Sequence, residues 1–238
     1  MTIKSLWIGS SLSRLQHACI KSWLNLGYEY HLYTYQEVEN VPEGTCLLDA
    51  NTIISKDRLF VYNLPLSQGG GSYAGFANLF RYKLLLDGGT WVDTDLYCVR
   101  TLPEEDYIFA YEDDHLVANC LVKAPSNSEF AARCFEVCNS KDSSKIVWGE
   151  TGPHLVTSII KELSLENHVR PRHEFFPILW TNINKFFEDR EIGSYYTVHF
   201  WNEIWRRNKL DKNAIYESET LYERLIAAAN SSDYTGLK

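Results

Sequence analysis

Asp93-Thr94-Asp95 is the stretch whose residue types and spacing could do chemistry. In an extended backbone, residues i and i+2 point the same way, so both carboxylates are expected to face one spot. Two convergent carboxylates at a strand end suit a hard cation, Mn2+ or Mg2+. Such an ion takes one or two protein carboxylates and fills its other positions with phosphate oxygens and water. Thr90-Trp91-Val92, just ahead, reads as a short apolar strand. Ligands of open α/β sheets bind beyond the carboxyl ends of strands. Alone, the pair is weak evidence. With 12 Asp in 238 residues, roughly 0.6 Asp-x-Asp pair is expected by chance, and a solvated turn with two acids is the plainer reading.

Other residues carry a chemical and a plain reading side by side. His199 follows the strand-like Tyr195-Tyr196-Thr197-Val198. Its neutral imidazole could complete a metal shell, or it is an ordinary buried or surface histidine. Arg81 either ties a helix to the strand end as a salt bridge or reaches ligand hydroxyls. Trp7 ends the first strand, as a core ring or as a stacking surface. Glu112-Asp113-Asp114 is an acidic cluster facing a ligand or a solvated turn. Glu150-Thr151-Gly152-Pro153 places backbone N–H groups at a helix start, which favours negative oxygens; a plain cap with Pro at the first helical position reads equally well.

The elements that must position these groups follow from periodicity. Residues 3–8 predict a buried strand. Residues 12–26 predict a helix with Leu12, Leu15, Ile20, Trp23 and Leu24 on one side, and residues 30–35 a second strand. Residues 63–73 read as a loop with a glycine triplet at 69–71, which lacks the Lys-Ser/Thr of a P-loop and excludes that kind of ATPase. A helix over 74–86 is expected to end at Asp87-Gly88-Gly89. Strands are predicted near 107–111 and 116–123, a helix near 127–138 and another from 153 to 163. Extended segments are predicted over 172–180 and 195–200, and a last helix over 216–229. Strands and helices alternate early and mix later. This predicts one α/β domain over 1–238, a mostly parallel twisted sheet flanked by helices, with a frayed tail at 230–238.

Composition bounds the function. The chain has 45% hydrophobic and 23% charged residues, enough for a core without disulfides. Its net charge of −8 argues against a general binder of nucleic acid or anionic lipid. The six cysteines are scattered, and reduced thiols are expected. The opening residues hold no signal-peptide hydrophobic region, and no run reaches the ~18–20 apolar residues of a membrane span. A cytoplasmic protein is the expectation, with a peripheral contact on the inner face of a membrane left open.

The run from Ala77 to Asp95, ANLFRYKLLLDGGTWVDTD, resembles the signature of the DXD glycosyltransferases. These include capsular-polysaccharide transferases, α-1,4-galactosyl- and N-acetylglucosaminyltransferases and the yeast initiating mannosyltransferase. Arg81, Gly88, Gly89, Trp91, Asp93 and Asp95 fall in register with it. Ile3-Lys4-Ser5-Leu6-Trp7-Ile8-Gly9, Ser22-Trp23, Thr151-Gly152-Pro153 and His199 extend the likeness over about residues 3–205.

The resemblance implies a GT-A fold and a metal held by Asp93, Asp95 and His199. It implies a nucleoside-diphosphate sugar as donor, UDP ahead of GDP, and transfer to a hydroxyl acceptor in glycan or polysaccharide synthesis. Retention is implied, by a front-face mechanism with the leaving phosphate as base. Asp93, Asp95 and Arg81 become the catalytic candidates. Donor-binding candidates are Trp7, Asn78 (where the family has an acid), Arg81, Asp93, Gly152 and Trp205. Asp113, Asn119 and Glu150 are the acceptor candidates. Trp201, Trp205, Arg206, Arg207, Lys209 and Lys212 read as a diphosphate clamp, a membrane contact or a solvated helix. Open alternatives are an unusual acceptor such as a modified nucleobase, a nucleotide-sugar hydrolase, and a non-catalytic sugar-binding module.

Overall fold

The computed structural model describes residues 1–231. The chain runs β1 (Thr2–Trp7), α1 (Arg14–Asn25), β2 (Glu29–Thr34), β3 (Cys46–Asp49), α2 (Ala74–Leu85), β4 (Gly89–Val92), β5 (Leu96–Cys98) and β6 (Phe109–Ala110). It continues β7 (Leu121–Ala124), α3 (Glu129–Ser140), α4 (Pro153–Glu162), β8 (Val169–Arg170), α5 (Arg172–Phe175), β9 (Thr197–His199), α6 (Asn202–Arg207) and α7 (Leu221–Asn230). Side-chain oxygens start three helices: Ser13, Ser128 and Thr220 accept from Gln16 N, Ala131 N and Glu223 N.

The main sheet has the order β3-β2-β1-β4-β7. Its first four strands are parallel and β7 is antiparallel. Side chains alternate across it. Ile3, Tyr30, Leu32, Val92 and Leu121 point to a core shared with α1 and α7. Leu6, Tyr33, Trp91 and Val122 point to a second core under α2, α3 and α4. A sheet buried on both faces explains the nearly continuous apolar strands. The mixed α/β architecture with a mostly parallel sheet is the predicted one.

Two turns of the topology position the site. From β1 the chain steps outward to β2 and β3, then crosses back to add β4 and β7 on the other side. The strand order therefore reverses between β1 and β4, where open α/β sheets form their ligand crevice. The second turn is Gly88-Gly89, between α2 and β4, with φ of 71° and 111°. A Cβ on Gly88 would lie 2.4 Å from the Ser126 nitrogen. Gly88→Ala is therefore expected to cost about 2–4 kcal/mol, from left-handed backbone and steric overlap together. Gly27 has φ of 81° but nothing near an added Cβ, so Gly27→Ala is expected to cost only about 1 kcal/mol. Equal denaturation midpoints for the two variants would refute the packing part.

Some elements differ from expectation. Residues 172–180 are not extended: α5 and a 3-10 turn over Trp180–Phe187 occupy this region. Phe175, Phe176 and Ile178 supply the apolar signal but bury it from turns. β3 and β5 were not predicted, being only four and three residues long. The last helix begins at Leu221, because Glu223 takes the Tyr216 N–H and Thr220 caps the helix. The tail prediction lies, from residue 232, outside the described residues. Cys19, Cys46, Cys120, Cys134 and Cys138 form no disulfide. Among the described residues, no helix is long and apolar enough to cross a membrane.

Candidate active site

A cavity of about 650 Å³ opens where the ends of β1 and β4 meet. Trp7 and Ile8 reach it from β1, Asp93 and Asp95 from the turn after β4, and Asn78 and Arg81 from α2. Asn119, Gly152 and His199 complete the set that the sequence singled out.

Asp93 is held by one oxygen. Its Oδ1 accepts from Arg81 Nη2 and from Trp91 Nε1, both at 2.7 Å. Arg81 is 2% exposed and lies over the Trp91 ring, 4.8 Å from its centroid. The same guanidinium donates to Asn78 Oδ1. Arg81 is the salt bridge that locks α2 to the strand end, and it lines the cavity.

Asp95 is buried and held from the other side. Its Oδ2 accepts from the Asn202 N–H at 2.7 Å and faces His199 Nε2 at 3.2 Å. Antiparallel pairing of β5 with β9 sets Leu96 against His199. Trp201, the cap residue of α6, adopts φ of 58° and turns the next N–H onto Asp95. A tryptophan in that backbone region is uncommon.

Burial opposes both charges of the pair, but the contacts outweigh it. His199 and the Asn202 N–H hold the Asp95 carboxyl below its usual range. Cys120 and Asp95 hold the His199 imidazole protonated well above its ordinary value. His199 Nδ1 is buried without a hydrogen-bond partner. One ligand atom from each of Asp93, Asp95 and His199 lies within 4.8 Å of the others. Two carboxylates, with an imidazole that gives up a proton on ligation, fit Mn2+ or Mg2+ by donor chemistry.

Opposite this trio, Asn78 is fully engaged. Its Oδ1 also accepts from Asn119 Nδ2 at 2.7 Å, and its Nδ2 donates to Thr151 Oγ1 at 3.1 Å. Gly152 packs on both amides: a Cβ there would sit 3.2 and 3.3 Å from their nitrogens. Trp7 Nε1 is buried without a partner.

Three candidates are placed otherwise. Trp205 is fully buried among Phe186, Phe200 and Tyr222, away from the cavity, so it is a core ring rather than a donor contact. Glu150 pairs with Lys141 at 2.8 Å and accepts from Val147 N, so it braces its loop rather than facing an acceptor. Asp113 lines the cavity, but its Oδ1 accepts from His115 N and Leu116 N and shapes the turn.

The basic 201–212 set is not a plain solvated helix. Arg206 and Arg207 line the cavity and share Glu203. Arg206 also donates to the Gly70 carbonyl at 3.0 Å. Arg207 lies over the Trp148 ring, 4.5 Å from its centroid, and that ring packs on Gly69. Sequence reasoning missed Trp148 and the Asn202 N–H. An exposed loop tryptophan gives a weak signal, and a backbone donor gives none.

Residues 124–229 match the family described as alpha 1,4-glycosyltransferase conserved region. Over this region the chain is similar to the alpha-1,4-glycosyltransferases. His199 lies inside the matched region and Asp93 and Asp95 lie before it. Lactosylceramide 4-alpha-galactosyltransferase of Mus musculus is 27% identical over 134 residues, 49% of this chain and 37% of that one. Alpha-1,4-N-acetylglucosaminyltransferase of Homo sapiens is 26% identical over 155 residues, 58% and 44% of the two chains. The chain thus spans about two fifths of the length of these curated relatives. Among solved structures, PaToxG glycosyltransferase superposes with a TM-score of 0.47 at 15% identity, covering 68% of this chain and 69% of that one.

Proposed function

We propose that this chain transfers a sugar from a nucleoside-diphosphate donor to a hydroxyl acceptor, with a divalent metal held by Asp93, Asp95 and His199. The observation that carries the reading is the meeting of these three side chains in one cavity at the strand-order reversal. The relationship to alpha-1,4-glycosyltransferases supports the reaction class. The named relatives make galactose and N-acetylglucosamine the first sugars to test and an α-linkage the expected one; UDP donors ahead of GDP donors, and retention, are what the DXD resemblance implies.

When bound, the metal supplies Lewis-acid neutralisation of charge on the leaving diphosphate. The chain's own groups do the rest. Arg81 and Trp91 fix the Asp93 carboxylate, and Asn202 fixes Asp95, so the ligand oxygens are aimed before anything binds. Trp7 offers a ring to the base, beside a turn where Gly9 leaves room. Arg206 and Arg207 bring positive charge to the mouth, where a diphosphate would lie. Asn119, sharing Asn78 with Arg81, is the polar edge for sugar hydroxyls.

Thermal shift against UDP-, GDP-, CMP- and dTDP-sugars, each with Mn2+ and with chelator, tests the reading. A ligand that binds only the folded state raises the melting temperature. A rise confined to one nucleotide class and abolished by chelator is the expected outcome. No rise with any donor would sink the transfer reading and favour a binding module.

A further inference from the structure

Many groups in the cavity wall are already engaged by the protein itself. Asp93 is held by Arg81 and Trp91, and Asp95 by Asn202 and His199. Asp113 is held by the N–H groups of its own turn, and Glu203 by Arg206 and Arg207. The Trp148 ring carries the Arg207 guanidinium at 4.5 Å and the Tyr62 ring at 5.3 Å. Glu112 and Trp180 line the same cavity unengaged. Among the described residues, no hydrogen-bond donor and no cation within ion-pair distance meets the Glu112 carboxylate. None places a ring, a cation or a hydrogen-bond partner on the Trp180 indole.

Both are held in place by their backbones. Trp180 is 46% exposed and packs on neither core. Two residues before it, the Ile178 carbonyl accepts from Trp201 Nε1 at 2.8 Å, and the Asn182 N–H closes the turn onto the Leu179 carbonyl at 2.9 Å. The Trp201 ring in turn lies 4.0 Å from the His199 ring, centroid to centroid. Glu112 follows β6, its N–H donates to the Leu116 carbonyl at 2.8 Å, and Tyr111 bridges to Val117. The charged groups facing it are His199 of β9 and the neighbouring Asp113. An open apolar ring and an unpaired carboxylate are thus both tied to the His199 wall of the cavity.

We propose that Trp180 and Glu112 form the acceptor subsite, and that the acceptor hydroxyl belongs to an uncharged sugar ring. The inference rests on the glycosyl-transfer reading above and names the acceptor class for it. One face of a pyranose is lined by C–H groups and can stack on an indole. Its rim is lined by O–H groups, which donate. An ionised carboxylate only accepts, at about four lone-pair sites. A half-buried carboxylate without donors is costly to keep, so donors brought by a ligand count for most there. A phosphate or carboxylate ligand would meet repulsion at Glu112, and a wholly apolar one would leave it unpaired.

The donor has other partners in the cavity. Its diphosphate is drawn to the metal trio and to Arg206 and Arg207, and its base to Trp7. Asn119, held by Asn78, is the edge for the donor sugar. Trp180 and Glu112 are left for the second substrate. They orient the acceptor and take no proton from it, so the leaving phosphate keeps that task. Burial pushes the Glu112 carboxyl up to about 7, with His199 opposing and Asp113 reinforcing the rise. The group is therefore ionised at pH 8, where its preference for a neutral ligand is read.

The test compares wild type, Trp180→Ala, Trp180→Phe and Glu112→Gln at pH 8, with UDP-galactose or UDP-N-acetylglucosamine and Mn2+. Methyl β-galactoside, methyl β-glucoside and lactose are the neutral acceptors, and methyl β-glucuronide is the anionic one. Wild type is expected to take a neutral sugar and to reject the glucuronide. Trp180→Ala is expected to raise the acceptor KM about 10-fold, the scale of one lost aromatic stack, with the loss in KM rather than in kcat. Trp180→Phe should recover most of it. Glu112→Gln should raise the same KM about 10-fold or more, as losing a hydrogen bond to a charged group does, and should narrow the preference for neutral over anionic sugar. All three variants should keep the donor-dependent rise in melting temperature. Because Trp180 lies outside both cores, Trp180→Ala should melt with wild type before donor is added. An unchanged acceptor KM in Trp180→Ala overturns the proposal. So does loss of the donor-dependent rise in any variant, a wild type that prefers the glucuronide, or one that binds donor and transfers to none of the neutral sugars. A wild type with no donor-dependent rise overturns the transfer reading itself.

Discussion

Asp95→Asn is expected to lower metal-dependent donor turnover at least about 10²-fold, the scale of losing one electrostatic stabiliser in a closed site. The residue is 5% exposed, with the Asn202 N–H at 2.7 Å and His199 at 3.2 Å from its carboxylate. An amide matches its shape and can still accept from Asn202, but it carries no charge for a metal. It also removes one of the two partners, Asp95 beside Cys120, that hold His199 protonated, so the imidazole is expected to give up its proton more readily. Because the histidine can shed its charge, the fold should survive, at a cost of about 1–3 kcal/mol. The variant should therefore melt cooperatively and show no metal-dependent rise with any nucleotide sugar. Full metal-dependent turnover in purified Asp95→Asn would remove Asp95 from the metal set.

Arg81→Leu is expected to do the larger damage to stability, roughly 3 kcal/mol. Removing one partner of a buried ion pair costs about 3–5 kcal/mol, and the lower end applies because Asp93 is 30% exposed. The change leaves Asp93 Oδ1 with only the Trp91 N–H and takes a donor from Asn78. It also strips the guanidinium from the Trp91 ring. Arg81→Lys should not restore the site, since an ammonium cannot bridge Asn78 and Asp93 while lying flat on an indole. Denaturant titration checks this: the midpoint should fall with an unchanged m-value. A midpoint equal to wild type would show that Arg81 does not brace the strand end.

The local code was legible where one segment decides its own structure. Alternating apolar residues made β1 and β2, the 3.6 period made α1 and α2, and Gly88 permitted the left-handed turn that launches β4. Asp93 and Asp95 come together from a turn, closed by the Leu96 N–H on the Asp93 carbonyl, and not from the extended backbone that the i, i+2 spacing suggested. The short elements were not legible. β5 has three residues and exists because β9, about a hundred positions later, pairs with it. Phe175 and Phe176 resemble strand residues but satisfy the core from turns. Trp205 and Glu150 show the same limit for the site. A tryptophan near basic residues and an acid before Thr-Gly-Pro read as ligand contacts, whereas long-range packing made one a core ring and Lys141 claimed the other.

The sequence by itself determined the alternation of strands and helices and the apolar faces. Each of these depends on backbone geometry over a few residues. The tertiary structure alone decided that His199 meets Asp95, that Arg81 holds Asp93, and that Glu112 is left without a partner. Those outcomes depend on which distant groups arrive at the same cavity wall. A carboxylate's role is set by the donors that reach it, and no spacing along the chain records them.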